Sequence, residues 1–361
     1  MKLEADFLLA SLRQRGVPVP PALDWNALLL LAESHGVLPL LQVSQPGQLP
    51  ATFADRVRDR CAYSLSLSCE LEDLLEQFEK YKIEVMPLKG PVLAELLYGN
   101  VWARPSDDLD LLVRPEEFAQ AEALLLALGF APTGEADTYH RDFEREGIFV
   151  ELHFGIASPS ALGFDLPGAW ARSRGVQFRG APVRFFSPID LILYLSLHGL
   201  KHRFAKLIWV LDVVHALEAL NETEASSLLA QASAHQLRNL LLTSCEIARR
   251  SFSVKLPQDV DLAIQSQPDL AAHAAVMADA VLATIADPTT SVYDASYYLQ
   301  LADSRGHRWR QRFRFFLPTK QDYQWAARHH LHRKCAPFLR PFRLLCKYGP
   351  APVLRTLFPR S

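Results

Sequence analysis

The chain has 361 residues, 49% of them hydrophobic and 22% charged, with a formal net charge of −2. That balance supplies a real core and excludes a chain disordered throughout, and the length accommodates two or three domains. Five scattered cysteines (Cys61, Cys69, Cys245, Cys335 and Cys346) form no CxxC pair, which argues against a disulfide framework and for reduced thiols in a cytoplasmic protein.

The near-neutral total hides an asymmetry. Residues 301–361 hold 14 Lys and Arg against two acids, Asp303 and Asp322, so an acidic body carries a basic tail. Glu4 and Asp6 interrupt the amphipathic N-terminus, unlike a secretory leader. The longest apolar stretch, Leu191–Leu197, is broken at Ser196. It is far short of the ~20 residues that span a bilayer.

In chain order, residues 1–81 are expected to be helical, because apolar residues recur at threes and fours, as in Leu71, Leu74, Leu75 and Phe78. From about residue 82 the period changes. IEVMPL has the pattern of a strand; Gly90-Pro91 then opens a helix, with Pro91 suited to its first position. LDLLV at 109–113 is a second strand, and Pro115 opens a helix that stops at Gly129. Three further strands are expected at Thr138–Phe143, Ile148–Phe154 and Val183–Phe186, making 82–187 a small mixed-sheet core. Beyond Pro188 helices are expected near 189–202, 204–220, 224–234, 236–251 and 269–285, giving a helical domain over 188–288. The remainder, 289–361, is a basic, aromatic-rich tail broken by prolines.

The chemistry concentrates in RPSDDLDLLV, Arg104 to Val113. Side chains alternate along a strand, so Asp108 and Asp110 share a face while Leu109 and Leu111 point into the core. Two carboxylates so placed at a strand's exposed edge can grip a hard cation such as Mg²⁺, which keeps phosphate oxygens among its ligands. Two such ions can serve an in-line displacement at phosphorus. Without a cation the paired charges raise one another's pKa. Glu151 on the strand VELHF could complete the cluster, sharing its face with His153. Upstream, Lys89 and Gly90 precede a helix N-terminus, a place that favours phosphate, and Arg104 could add to that grip. Asp107 should face away, as a turn or capping residue.

The order LKG…LYG…RP..DDLDLLV…VELHF resembles the uncharacterised nucleotidyltransferase family of bacteria, within the DNA polymerase beta-like superfamily. The resemblance extends through His198, Lys201, His202, Trp209 and Asp212 to the RPFRLLCKYG tail. It implies an NTP-using fold with Asp108, Asp110 and Glu151 in the metal-binding roles. One departure stands out: the superfamily's usual Gly-Ser pair is replaced by Lys89-Gly90-Pro91, and proline offers neither hydroxyl nor N–H. Phosphate gripping must therefore differ or be weaker.

A DxD alone is a weak signal; the ordered set of Lys-Gly, helix, Arg-Pro, DxD and a later strand Glu is far more specific. His198, Lys201 and His202 lie at i, i+3 and i+4 on one helix face. That face either packs near Asp212 through an ion pair or, with His153, borders an acceptor pocket. His329, His330, His332 and Cys335 match no zinc spacing and sit among arginines, so a solvated helix face is expected there. The basic tail could pack on the acidic body, lie on an anionic membrane or attract nucleic acid. The expectation is an α-rich α+β protein that moves a nucleoside monophosphate from an NTP to an acceptor hydroxyl. The alternatives are a non-catalytic nucleotide-binding or partner-binding scaffold, and a toxin-like enzyme acting on tRNA or protein.

Overall fold

Thirteen helices and seven strands make up the described residues of the computed structural model: 2–134, 139–156 and 163–286, with single positions 301, 303, 322, 323, 325, 326, 332 and 340. The chain begins with α1 (Lys2–Arg13), α2 (Trp25–Ser34), α3 (Leu38–Ser44) and the long α4 (Ala51–Lys80). Asp24 starts α2 by accepting hydrogen bonds from the N–H groups of Asn26 and Ala27, which a helix N-terminus leaves without partners. α4, about 45 Å long at 1.5 Å per residue, ties two apolar clusters together. Its Phe53 enters one with α1–α3; Leu67, Leu71, Leu74 and Phe78, at helical spacing, enter the other against the sheet.

The core follows as β1 (Val85–Pro87), α5 (Gly90–Tyr98), β2 (Leu109–Val113), α6 (Phe118–Ala127), β3 (Ala131–Thr133), β4 (His140–Arg145) and β5 (Ile148–His153). These strands form one mixed sheet in the order β1-β2-β5-β4-β3, parallel only between β2 and β5. Next come α7 (Leu166–Arg172) and a separate two-stranded sheet of β6 (Arg174–Phe178) and β7 (Ala181–Phe185). The rest is helical: α8 (Pro188–Lys201), α9 (Leu207–Glu218), α10 (Glu222–Ala234), α11 (Arg238–Phe252), α12 (Gln258–Gln265) and α13 (Pro268–Ala286). Ser187 caps α8 by accepting from the Asp190 N–H, and Asn221 and Glu224 form a capping box on α10. The fold is α+β and helix-rich, as the residue pattern implies.

Four elements depart from the expectation. β3 is three residues long and largely exposed, β6 opens on Arg-Gly, and α7 and α12 span only seven and eight residues, too few for a clear period. β2 is also no exposed edge. It lies between β1 and β5, and all five of its residues are buried. Thr138, most of the tail and the His329, His330 and Cys335 positions lie outside the described residues. Two of the described tail positions meet the body: Leu301 joins the main core, and the Asp303 carboxylate accepts from the Arg238 and Asn239 N–H groups at 2.8 Å, capping α11. No helix among the described residues is long and apolar enough to cross a membrane.

The N-terminal helices attach to α9 partly through His35. Its Nδ1 accepts from the Leu207 N–H at 3.3 Å, and the Ile208 N–H donates to its carbonyl at 3.2 Å. Burial, with help from Lys206, lowers the imidazole pKa to about 4. A histidine depressed in this way contributes stability that is present above its unfolded pKa near 6.5 and lost as pH falls toward 4. Urea unfolding should show wild type losing about 2 kcal/mol more than His35→Gln between pH ~7.5 and ~5. Equal losses in both would contradict this.

Candidate active site

β1 ends beside β2, where the Leu88 N–H donates to the Asp110 carbonyl at 3.0 Å, and the chain turns at Lys89 into α5. Gly90 makes that turn with φ +68°, a left-handed conformation that costs glycine nothing. An added Cβ there would meet only ordinary contacts at 3.8 Å, so the backbone angle, not space, favours glycine. Gly99 ends α5 in the same region at φ +79°.

This geometry brings Lys89 onto the acids. Its Nζ lies 2.8 Å from Asp110 Oδ2 and 3.7 Å from Asp108 Oδ1. On the other side, His153 Nε2 is 3.2 Å from Asp110 Oδ1 and 3.3 Å from Glu151 Oε2. Asp110 and Glu151 are register partners across the parallel β2–β5 ladder, which is why their carboxylates meet. One donor atom each from Asp110, Glu151 and His153 falls within 4.8 Å of the others. Asp108, just before β2, joins through Lys89. Asp107, expected to face away, also lines the cavity, where it pairs with Arg60 at 3.2 Å and Lys206 at 3.8 Å.

The charges respond to one another. Burial works to raise the Asp110 pKa, but the Lys89 ammonium and the His153 hydrogen bond outweigh it and hold the carboxylate well below its usual range. Asp108 goes the other way: burial and the Asp110 charge push it up to about 7 despite Lys89. Lys89 itself is held above the normal lysine range, since Asp110 and Asp108 more than offset its burial. Burial lowers His153, yet hydrogen bonds to Asp110 and Glu151 leave it raised overall. Asp110 Oδ2 is buried and accepts no well-directed hydrogen bond; only the Lys89 charge answers it. Asp108 and Asp110 at Lys89, with Glu151 joined to Asp110 through His153, make a donor set that fits a divalent cation.

These groups open into a cavity of about 320 Å³, within the range that takes a small molecule. Nine of the ten residues singled out from the sequence line it; Gly90 is buried behind, at the start of α5. Arg104 departs from its expected use. Its Nε and Nη2 donate to Asp212 at 2.8 Å each and its Nη1 donates to Ser106 Oγ at 3.3 Å, all buried. The Tyr98 hydroxyl also donates to Asp212, at 2.8 Å. Arg104 thus locks α9 to the core rather than standing free for a triphosphate. It also supplies the Asp212 ion pair that the α8 face was considered for.

That α8 face forms the far wall. Lys201 Nζ donates to the Tyr139 hydroxyl at 2.7 Å, and His198 and His202 lie 5.3 and 5.1 Å from Trp209, ring centre to ring centre. Burial keeps both imidazoles neutral: His198 is lowered well below the usual value, and His202, with Lys201 nearby, to about 4. The turn after α8 holds Arg203 and Phe204 at φ 54° and 48°, both left-handed without being glycine. Such residues cost roughly 1–2 kcal/mol apiece. Gly199 permits the turn, because a Cβ there would sit 2.2 Å from the Phe204 ring.

Sequence reasoning did not single out His140 and Asp142 on β4. Asp142 is the register partner of Glu151, extending the acidic row to Asp110–Glu151–Asp142 across three strands, and His140 Nε2 is 3.1 Å from Asp142 Oδ1. Their i, i+2 spacing on an expected strand was a usable signal.

A mixed sheet with an acid cluster at a lysine–glycine turn that leads into a helix N-terminus, with a cavity in front of it, is the scaffold class of nucleotidyl transfer. The chain belongs to the family described as uncharacterised nucleotidyltransferase, whose model matches residues 21–253 and so ends before the basic tail. Among solved structures, the antibiotic-resistance factor ANT(2″)-Ia is similar over 47% of this chain and 93% of that one, at 16% identity and a TM-score of 0.39. A second structure of it, in complex with adenylyl-2″-tobramycin, covers 47% and 98% at 18% identity and a TM-score of 0.36. An antigenic nucleotidyltransferase-like protein from Paracoccidioides brasiliensis covers 53% and 93% at 20% identity and a TM-score of 0.35. No curated protein matches the chain.

Proposed function

We propose that this protein transfers a nucleoside monophosphate from an NTP to an acceptor hydroxyl, using divalent cations such as Mg²⁺ held by Asp108, Asp110 and Glu151. The observation that carries the reading is the meeting of Asp110 and Glu151 on adjacent parallel strands beside Lys89, at the floor of the cavity. The bond that forms joins the acceptor oxygen to the α-phosphorus; the bond that breaks releases pyrophosphate. Bound cations supply charge neutralisation for the phosphates and the leaving group. Glu151, the more exposed partner on the ladder at 34% against 3% for Asp110, receives the acceptor's proton. Lys89 and the α5 N-terminus hold the phosphates, and the α8 wall with Lys201, His198 and His202 borders the acceptor.

A second reading, nucleotide binding without turnover, draws on the Lys89 turn: Lys89 already pairs with both aspartates, and Pro91 stands where a hydroxyl would help. Incubation of the full chain with each labelled NTP, Mg²⁺ or Mn²⁺ and panels of small-molecule, RNA and protein acceptors separates the two. Transfer with stoichiometric pyrophosphate supports the enzyme. Saturable nucleotide binding with neither product supports the scaffold.

A further inference from the structure

The proposed carboxylate site contains a nitrogen in a ligand's place. His153 Nε2 lies 3.2 Å from Asp110 Oδ1 and 3.3 Å from Glu151 Oε2. Neighbouring donors around an ion with bonds of about 2.1 Å stand roughly 3.0 Å apart in an octahedron and 3.4 Å apart in a tetrahedron. The two observed spacings, the first of them also a hydrogen bond, fall between those values, and one donor atom from each of the three residues lies within 4.8 Å of the others.

The imidazole is also held where it is. Its side chain is 8% exposed and stacks near-parallel on His140 at 5.1 Å and 27°, and on Tyr139 at 6.1 Å and 26°. Its Nδ1 is buried with no hydrogen-bond partner among the described residues.

We propose that His153 Nε2 is a direct ligand of the divalent cation held by Asp110 and Glu151. The inference rests on the metal-binding reading above and adds a selectivity to it. Carboxylate oxygens alone suit Mg²⁺, whereas imidazole binds later first-row ions better. A mixed nitrogen–oxygen set therefore favours Mn²⁺, Co²⁺ or Zn²⁺ over Mg²⁺.

The test is electron spin-echo spectroscopy of Mn²⁺ bound to the full chain, in wild type, His153→Gln and His140→Gln, with Mn²⁺ and Mg²⁺ affinities measured by equilibrium dialysis. Wild type should show the modulation of a directly bound imidazole nitrogen, confirmed by a changed signal when histidine is isotopically labelled. That wild-type measurement needs no variant to fold. His153→Gln should lose the coupling and His140→Gln keep it. The preference for Mn²⁺ over Mg²⁺ should fall about tenfold or more in His153→Gln, since even outer partners of a metal ligand command that scale. Mn²⁺ bound without nitrogen coupling, or coupling lost only in His140→Gln, overturns the inference and leaves the carboxylate site standing. No Mn²⁺ binding in wild type overturns both.

Discussion

Replacing Asp110 by asparagine should lower kcat/KM for nucleotidyl transfer by at least about 10³-fold, the upper end for a single electrostatic stabiliser. Asp110 is the only carboxylate among the described residues that meets both Lys89, at 2.8 Å, and His153, at 3.2 Å. It also faces Glu151 across the ladder. Asparagine keeps the shape and removes the charge that lets the cluster attract a cation. Lys89 is then left with Asp108, 3.7 Å away. The folded-state pKa of Asp110 lies below its unfolded value, so its charge stabilises the fold above the normal carboxylate range and that contribution fades as pH falls. Some loss of stability should accompany the loss of transfer, and a thermal melt of the variant separates the two. Transfer within about tenfold of wild type, in a variant that melts cooperatively, would place the chemistry elsewhere.

The largest effect on stability is expected at Arg104, 104 and 212 being joined across a buried ion pair with both carboxylate oxygens at 2.8 Å. Arg104 is 3% exposed and Asp212 1%, so alanine at 104 strands a carboxylate with only the Tyr98 hydroxyl to answer it. Breaking one side of a buried pair costs about 3–5 kcal/mol, whereas replacing both sides by apolar groups of similar volume is often neutral. Urea unfolding of Arg104→Ala should show that loss, and Tyr98→Phe a loss of about 1 kcal/mol. The double variant Arg104→Met with Asp212→Leu should recover most of it. An Arg104→Ala variant within about 1 kcal/mol of wild type would contradict the account.

Much of the scaffold was legible in the residue pattern because long elements carry their period openly. β2, α5 and the α8 face follow from LDLLV, GPVLAELLYG and the i, i+3, i+4 spacing of His198, Lys201 and His202. The meeting of Asp110 with Glu151 was an inference about strand neighbours, which no local pattern determines. Burial of Asp110 was not legible: alternation suggests one open face, but β1, β5 and the cavity walls enclose β2 on every side. The Arg104–Asp212 bond joins residues 108 positions apart, beyond any local signal. Arg104 beside a DxD therefore read as a phosphate ligand although its partner is a carboxylate on α9. The i, i+2 spacing of His140 and Asp142 was a local signal, but the place of Asp142 in the acidic row follows only from the pairing of β4 with β5.

The central claim is that Asp108, Asp110 and Glu151 act together on a divalent cation and a nucleotide. Anomalous scattering from a crystal of the full chain grown with Mn²⁺ and a non-hydrolysable NTP addresses it most directly. The account predicts a Mn²⁺ peak within bonding distance of Asp110 and Glu151, with the triphosphate between that peak and the Lys89-Gly90 turn. Nucleotide bound in the cavity with Lys89 still on Asp110 and no Mn²⁺ beside the carboxylates would contradict it.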